Sequence, residues 1–146
     1  MLNDNQKRKS SLQAYLGISK SNRALFDQEL EMVRKLFSQH NIVLNIFVEQ
    51  YNFSVDEDKQ MMEKAFADID HSDFLIVELS KKAIGVGAEV GYAKAKNKPI
   101  IYLKRKSSAY STTVGGSSDY LIEYTGIEDL KDKLAKTLLK LIEKFV

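Results

Sequence analysis

Residues 74–79, FLIVEL, are apolar at every position but one, and a run of that kind has no side to offer to water. A strand with one wet face alternates between apolar and polar residues, whereas a strand covered by helices on both faces does not. The run therefore predicts a central strand of a parallel sheet, and parallel neighbours need helical crossovers between them. The flanking sequence supplies them. Leu12–Gly17 (LQAYLG) is a short apolar run closing on a turn signal, a first strand, and Ser19–Arg23 (SKSNR) is a polar loop. From about residue 24 to 39, Leu25, Leu30, Val33, Leu36 and Phe37 fall near one helical face. Residues 42–48 (IVLNIFV) are rich in branched and aromatic side chains, a second strand. Ser54-Val55-Asp56-Glu57 has the spacing of a capping box and opens a helix to about His71. After FLIVEL a glycine-bearing turn leads to a helix over about 87–96, then a fourth strand at 99–103 (PIIYL). Residues 104–118 form a long polar, glycine-containing loop, mobile or functional, before a fifth strand at 120–124. Thr125-Gly126-Ile127-Glu128 repeats the capping-box spacing and starts a last helix, with Leu130, Leu134, Leu138, Leu141 and Phe145 as its core stripe. The expectation is a doubly wound α/β domain over residues 12–146, with a five-stranded parallel sheet in the order 2-1-3-4-5.

Composition narrows the functions such a domain can have. With no cysteine among 146 residues, disulfides, thiolate chemistry and cysteine-based metal sites are excluded. The only histidines, His40 and His71, stand near helix ends, where dipole contact accounts for them, so no metal and no cofactor is expected. A formal charge of +2 is too small to argue for nucleic acid. No stretch approaches the roughly 20 apolar residues of a membrane span, so no membrane partner is expected. Residues 1–11 (MLNDNQKRKSS) are polar and basic, with no apolar segment for a signal peptide behind them. They read as a flexible tail carrying Lys7, Arg8 and Lys9, on a cytoplasmic protein.

In the order 2-1-3-4-5 the winding reverses between strands one and three, and ligands sit beyond the carboxyl ends of the strands at such a point. The loops brought together there are SKSNR and residues 81–91, KKAIGVGAEVG. The second resembles a dinucleotide loop only superficially. Its spacing is G-x-G-x-x-x-G, one residue too long, and a glutamate near a helix start repels pyrophosphate. The residue types suit other chemistry. Gly85 and Gly87 permit a tight turn close to a ligand, and Glu89 at a helix start is held ionised by the dipole. An ionised carboxylate beside a sugar serves glycosyl transfer as nucleophile or as partner to an oxocarbenium-like centre. The same residue could equally do no more than cap its own helix.

Residues 72–79 (SDFLIVEL), 85–93 (GVGAEVGYA) and 97–101 (NKPII) together resemble the nucleoside 2-deoxyribosyltransferase family, most of all its 2′-deoxynucleoside 5′-monophosphate N-hydrolase branch. The resemblance implies a flavodoxin-like three-layer sandwich, a homodimer or larger assembly, and a nucleoside or nucleotide as the small-molecule substrate. It gives Glu89 the role of attacking or stabilising the anomeric carbon. Tyr15 and Gly17 match an aromatic and a glycine near the end of the first strand. Ser19, Lys20, Ser21 and Arg23 match the loop that binds the 5′-phosphate, chemistry that cations and free amides suit. Ser111, in STTVGG, resembles a loop that reaches a neighbouring subunit's site. Two positions depart from the family. Ala65 stands where the family places an aspartate beside the base, with Glu63 and Asp68 nearby, and Ala83 stands where the transferases often carry another aspartate. The second departure favours the monophosphate-hydrolase branch. The first leaves a catalytically impaired nucleotide-binding or signalling module as the alternative to an N-glycosidic enzyme. A glycosidase acting on a larger nucleotide such as NAD is a third reading, by fold analogy.

Overall fold

The computed structural model describes residues 11–146, so the expected tail falls, except for Ser11, outside the described residues. Five strands form one sheet: β1 (Leu12–Ile18), β2 (Ile42–Ile46), β3 (Phe74–Glu78), β4 (Ile100–Arg105) and β5 (Tyr120–Tyr124). All neighbours are parallel and the order is β2-β1-β3-β4-β5, as the sequence predicts. Every residue of β3 is buried, which is the reason FLIVEL has no polar alternation. The crossovers are α1 (Asp27–Gln39), α2 (Phe47–Gln50), α3 (Asp58–Asp70), α4 (Ile84–Ala95) and α5 (Thr112–Ser117), and α6 (Ile127–Glu143) follows the last strand. Alternation along β1 divides the core between two faces. Ala14, Leu16 and Ile18 face α1 and α6, whose Leu30, Phe37, Leu134 and Leu138 pack there. Tyr15 faces the other way, into the layer holding Phe47, Ile69, Val90 and Ala93.

Several local expectations are corrected. The SKSNR segment is not an open loop. Residues Lys20–Phe26 form a 3-10 helix, started by the Asn22 N–H donating to Ser19 O (3.2 Å) and Asn22 Nδ2 donating to Ser19 Oγ (3.1 Å). The helix expected from residue 24 therefore begins at Asp27, and Leu25 is exposed rather than on the core face. β2 stops at Ile46, and α2 folds Phe47 back over the end of the sheet. α4 starts at Ile84, so Gly85 and Gly87 lie within its first turns and not in a preceding tight turn. Neither has a positive φ, and a Cβ at either would meet nothing within 4 Å. The loop expected over 104–118 holds the end of β4 and α5, which Ser111 caps through its hydroxyl accepting from Val114 N (3.2 Å). At the last helix Gly126 is the N-cap and Thr125 N donates to Asp129 (3.0 Å), so the carboxylate that caps is one residue beyond Glu128. Phe145 lies 40% exposed, off the core stripe. The Ser54–Glu57 box is present, with Ser54 N donating to Glu57 Oε1 (3.0 Å).

Near the carboxyl ends of β3, β4 and β5, on the α1 side, two buried carboxyls meet one phenol. Tyr124 Oη lies 2.6 Å from Glu78 Oε2 and 3.1 Å from Glu29 Oε2. A phenol has a single proton, which the two carboxyl oxygens share. Burial pushes the Glu78 carboxyl above its ordinary range. Arg105 completes the cluster, donating from Nε and Nη2 to Glu29 Oε2 (3.0 and 2.7 Å) and from Nη2 to Leu25 O (2.6 Å). Tyr124→Phe removes the bridge, leaving Glu29 to Arg105 and depriving the buried Glu78 Oε2 of its hydrogen bond. It is expected to lower stability by about 2 kcal/mol, read as an earlier midpoint in urea; an unchanged midpoint would mean that the two carboxyls satisfy each other without the phenol.

Candidate active site

The winding reverses between β1 and β3, and a cleft of about 830 Å³ opens there, within the range that takes small ligands. Three segments build it: Ile18–Ser21 after β1, Phe47–Phe53 after β2, and Lys82–Glu89 after β3, with Met61, Met62 and Ala65 of α3 closing the side. Glu89 is at its floor. A full turn separates it from the start of α4, beyond the reach expected of the helix dipole. Its Oε2 is shielded from solvent and makes no hydrogen bond. Burial, not the dipole, governs the carboxyl and pushes it up to about 7, with the nearby Tyr15 hydroxyl pulling weakly the other way. The expectation of a carboxylate ionised by its helix is corrected accordingly: Glu89 is poised near neutrality.

What lies under Glu89 explains two residues of β1. Tyr15 is fully buried with its hydroxyl unpartnered, and its proton is held well above the usual phenol range by burial and then by the charges of Glu89 and Asp68. Gly17 lies against the carboxylate, and a Cβ there would come 2.5 Å from Glu89 Oε2 and 3.3 Å from Val77 Cγ1. Asn45 is the register partner of Tyr15 across β1 and β2. Its Nδ2 donates to Asp68 (3.0 Å) while its Oδ1 is buried without a partner. Thus all the buried unpartnered side-chain oxygens found among the described residues belong to Tyr15, Asn45 and Glu89. Such groups are costly to leave unmade and mark a place built for something polar.

The cleft has two unlike ends. Toward β1 and β3 are Ser19, Lys20 and Ser21 on one side and Lys82 on the other, with neither lysine in an ion pair among the described residues. The start of α4 faces the same end without a side-chain cap, adding its partial positive charge. Toward β2 the wall is aromatic. The rings of Phe47, Tyr51 and Phe53 lie 5.0–6.2 Å apart.

Of the residues expected at a site, Ser19, Lys20, Ser21, Gly85 and Glu89 line this cleft, with Gly17 and Tyr15 beneath it. Arg23 does not reach it, being engaged by Glu49 and Asp27, and Arg34 shares the Glu49 carboxylate. Gly87 and Ser111 border an adjoining groove of about 400 Å³ on the far side of Lys82–Ile84. The Ser111 hydroxyl is occupied in capping α5. Sequence reasoning missed Lys82 and the aromatic wall. The second adjacent lysine of KKAIG was the available sign of the first, and the alternation-breaking FVEQYNF was the sign of the other. A second cleft of about 580 Å³ beside Glu29, Arg105 and Tyr124 is less suited to chemistry, because its acid and base are already paired with each other. No group of three or more carboxylates or histidines is placed to hold a metal among the described residues, and no helix there is long and apolar enough to cross a membrane.

Residues 14–133 match the family model described as nucleoside 2-deoxyribosyltransferase. A Syntrophotalea carbinolica protein, provisionally assigned as 2′-deoxynucleoside 5′-phosphate N-hydrolase 1, is 36% identical over 78 residues, covering 49% of this chain and 55% of the relative. The match thus spans about half the length of that relative. Among solved structures, a conserved protein of Enterococcus faecalis superposes with a TM-score of 0.68 at 17% identity, over 87% of this chain and 99% of the other. The CMP N-glycosidase of Clostridium botulinum gives 0.61 at 17% identity, over 84% and 97%. The 2-deoxyribosyltransferase of Bacillus psychrosaccharolyticus gives 0.63 at 13% identity, over 82% and 90%. At these identities the structural likenesses establish the fold.

Proposed function

Because this chain belongs to the nucleoside 2-deoxyribosyltransferase family, we propose that it cleaves or transfers the N-glycosidic bond of a nucleoside 5′-monophosphate, with Glu89 as the attacking carboxylate. The observation that carries this reading is the unpartnered Glu89 oxygen on the floor of a cleft that is cationic at one end and aromatic at the other. A phosphate suits the end with Lys20, Lys82 and the serine hydroxyls. A base suits the aromatic wall, and the sugar between them comes over Glu89. Attack by the ionised carboxylate on C1′ forms a glycosyl ester as the C1′–N bond breaks, and water or a second base then opens the ester. Burial keeps the carboxylate poorly solvated before attack, so little hydration has to be removed from it.

Base release from ribo- and deoxyribonucleosides and their 5′-monophosphates, followed by chromatography with Glu89→Ala as the control, tests the proposal. Release that the variant retains would remove Glu89 from the mechanism. A second reading has one observation in its favour. Ala65, where the family aspartate is expected, lines the cleft and is fully buried, so no carboxyl reaches the base from that position. Binding of a monophosphate with no base release from any substrate would favour a nucleotide-binding module instead.

The phosphate assignment has its own test. Lys20→Gln and Lys82→Gln are each expected to raise KM for a monophosphate about tenfold while leaving KM for the matching nucleoside unchanged, the loss of one charge-assisted contact of about 1.5 kcal/mol. Arg23→Gln is expected to leave both constants unchanged, since its guanidinium is held by Glu49 and Asp27. An equal rise in KM for nucleoside and nucleotide would place the phosphate elsewhere.

A further inference from the structure

We infer that the base this cleft is built to release is a cationic one, a pyridinium or an N-alkylated purine, which departs without receiving a proton. The inference rests on the reading that Glu89 attacks C1′. A neutral base leaves as an anion unless an acid protonates it in the transition state, and a positioned acid contributes about 100-fold or more to such steps. The wall that receives the base is Phe47, Tyr51, Phe53, Met61, Met62 and Ala65, and among the described residues Glu89 is the one carboxyl lining the cleft. Glu89 is spent as the nucleophile. Asp68, one turn beyond Ala65 on α3, lies outside the lining, and its carboxyl is engaged by Lys64 (3.0 Å) and Asn45 (3.0 Å) rather than turned toward the wall. The Lys20 and Lys82 ammonium groups stand on the loops after β1 and β3, and the proton donor on the wall itself is the Tyr51 phenol, which Tyr51→Phe removes in the test below.

The same wall favours a positive ring. Three aromatic faces lie within 6.2 Å of one another, and Lys64 Nζ, paired with Asp68, lies 5.2 Å from the Tyr51 ring centroid. Aromatic faces hold a desolvated cation better than a neutral ring of the same size. Methionines at 61 and 62 give the wall an adaptable surface for rings of different shape. The step balances without an acid. The Glu89 oxygen donates an electron pair to C1′, the C1′–N pair moves onto the positively charged ring nitrogen, and the base leaves neutral. Water then hydrolyses the glycosyl ester, restoring Glu89 and releasing one proton to solvent.

The test is base release from matched pairs: 7-methylguanosine 5′-monophosphate against guanosine 5′-monophosphate, in ribo and deoxy forms, with nicotinamide mononucleotide as the pyridinium. Each rate is corrected for spontaneous loss, and Glu89→Gln serves as the blank. The expected result is a kcat/KM at least about 100-fold higher for the cationic members, the factor that a missing acid withholds from the neutral ones. Tyr51→Leu and Phe53→Leu, at partly exposed positions, are expected to narrow that preference about tenfold while Tyr51→Phe preserves it. Equal turnover of neutral and cationic members would overturn the inference and leave the proposed function standing, because some group would then be protonating the base. A cationic preference indifferent to both leucine variants would overturn the role of the wall. No release from any pair, by protein that still binds a monophosphate in calorimetry, would overturn the proposed function and this inference together.

Discussion

Glu89→Gln is expected to abolish base release and, at pH 8, to make the protein more stable than the native chain. The two effects come from one cause. Glutamine keeps the shape of the side chain above Gly17 but offers no electron pair of comparable strength to C1′, so turnover falls by at least about four orders of magnitude, as for other removed nucleophiles. The stability gain follows from burial. The folded protein holds the Glu89 carboxyl at about 7 against an ordinary 4.5, so folding binds its proton more tightly than the unfolded chain does. That preference stabilises the native state fully below pH 4.5 and is lost as the pH rises from about 4.5 to about 7. At 1.36 kcal/mol per pH unit, the loss reaches about 3 kcal/mol once Glu89 is ionised. The glutamine variant has nothing to ionise. Urea melts of both proteins at pH 5 and pH 8 read the difference directly: near coincidence at pH 5, a later midpoint for the variant at pH 8. Glu78 is raised in the same direction, but it is present in both proteins and cancels in the comparison. Native protein that loses no stability, relative to the variant, between those pH values would mean that Glu89 is solvated, and would remove the reason to regard it as a primed nucleophile. On the activity side, the same proton gives kcat/KM a rising limb near pH 7, since only the ionised carboxylate attacks.

The sequence carried the architecture because the architecture is written in periodicity. FLIVEL has no polar alternation because β3 is covered on both faces, and the leucine stripe of α6 keeps helical spacing because one side of that helix is buried. The topology 2-1-3-4-5 then brings the segments after β1 and β3 together. What sequence could not supply was the direction in which individual side chains turn. Arg23 has the composition of a phosphate ligand, yet Glu49, brought near by the short α2, claims its guanidinium. Ser111 has the hydroxyl for a ligand, yet α5 begins just beyond it and takes that oxygen as a cap. Gly85 and Gly87 suggested a turn because glycine is a weak helix former, but the segment after Ala83 has enough tertiary packing through Val86 and Val90 to start its helix a turn early. The protonation of Glu89 has the same origin. Nearness to a helix start is visible in a sequence, whereas the depth at which that helix lies over Gly17 is not.

That depth makes Gly17→Ala the most selective variant the fold allows. Gly17 lies in β1 with no positive φ, so alanine suits its backbone, and residues 15–18 keep their pairing to β3. The added methyl nevertheless comes 2.5 Å from Glu89 Oε2, well inside contact distance, and 3.3 Å from Val77 Cγ1. Val77 belongs to the buried β3 and has little freedom to yield. Glu89 Oε2 is the far end of a three-torsion side chain on a residue that lines the cleft, and it moves instead. Such a rotation costs little free energy, so the stability change is expected to stay below about 1 kcal/mol, the scale of a modest rotamer strain. The catalytic cost is larger. A carboxylate displaced by about 1 Å no longer meets C1′ in line with the departing base, and misplacements of that size cost about 100-fold in rate. The expected signature is a kcat reduced about 100-fold with KM for a monophosphate near the native value, because the lysines and the aromatic wall are untouched. Gly115→Ala provides the contrast. Its Cβ would run into the far end of the Tyr110 side chain, 48% exposed and free to swing aside, and that variant is expected to leave kcat unchanged. Native turnover by Gly17→Ala, in protein of unchanged fold, would show that the carboxylate does not react from the position it holds above Gly17.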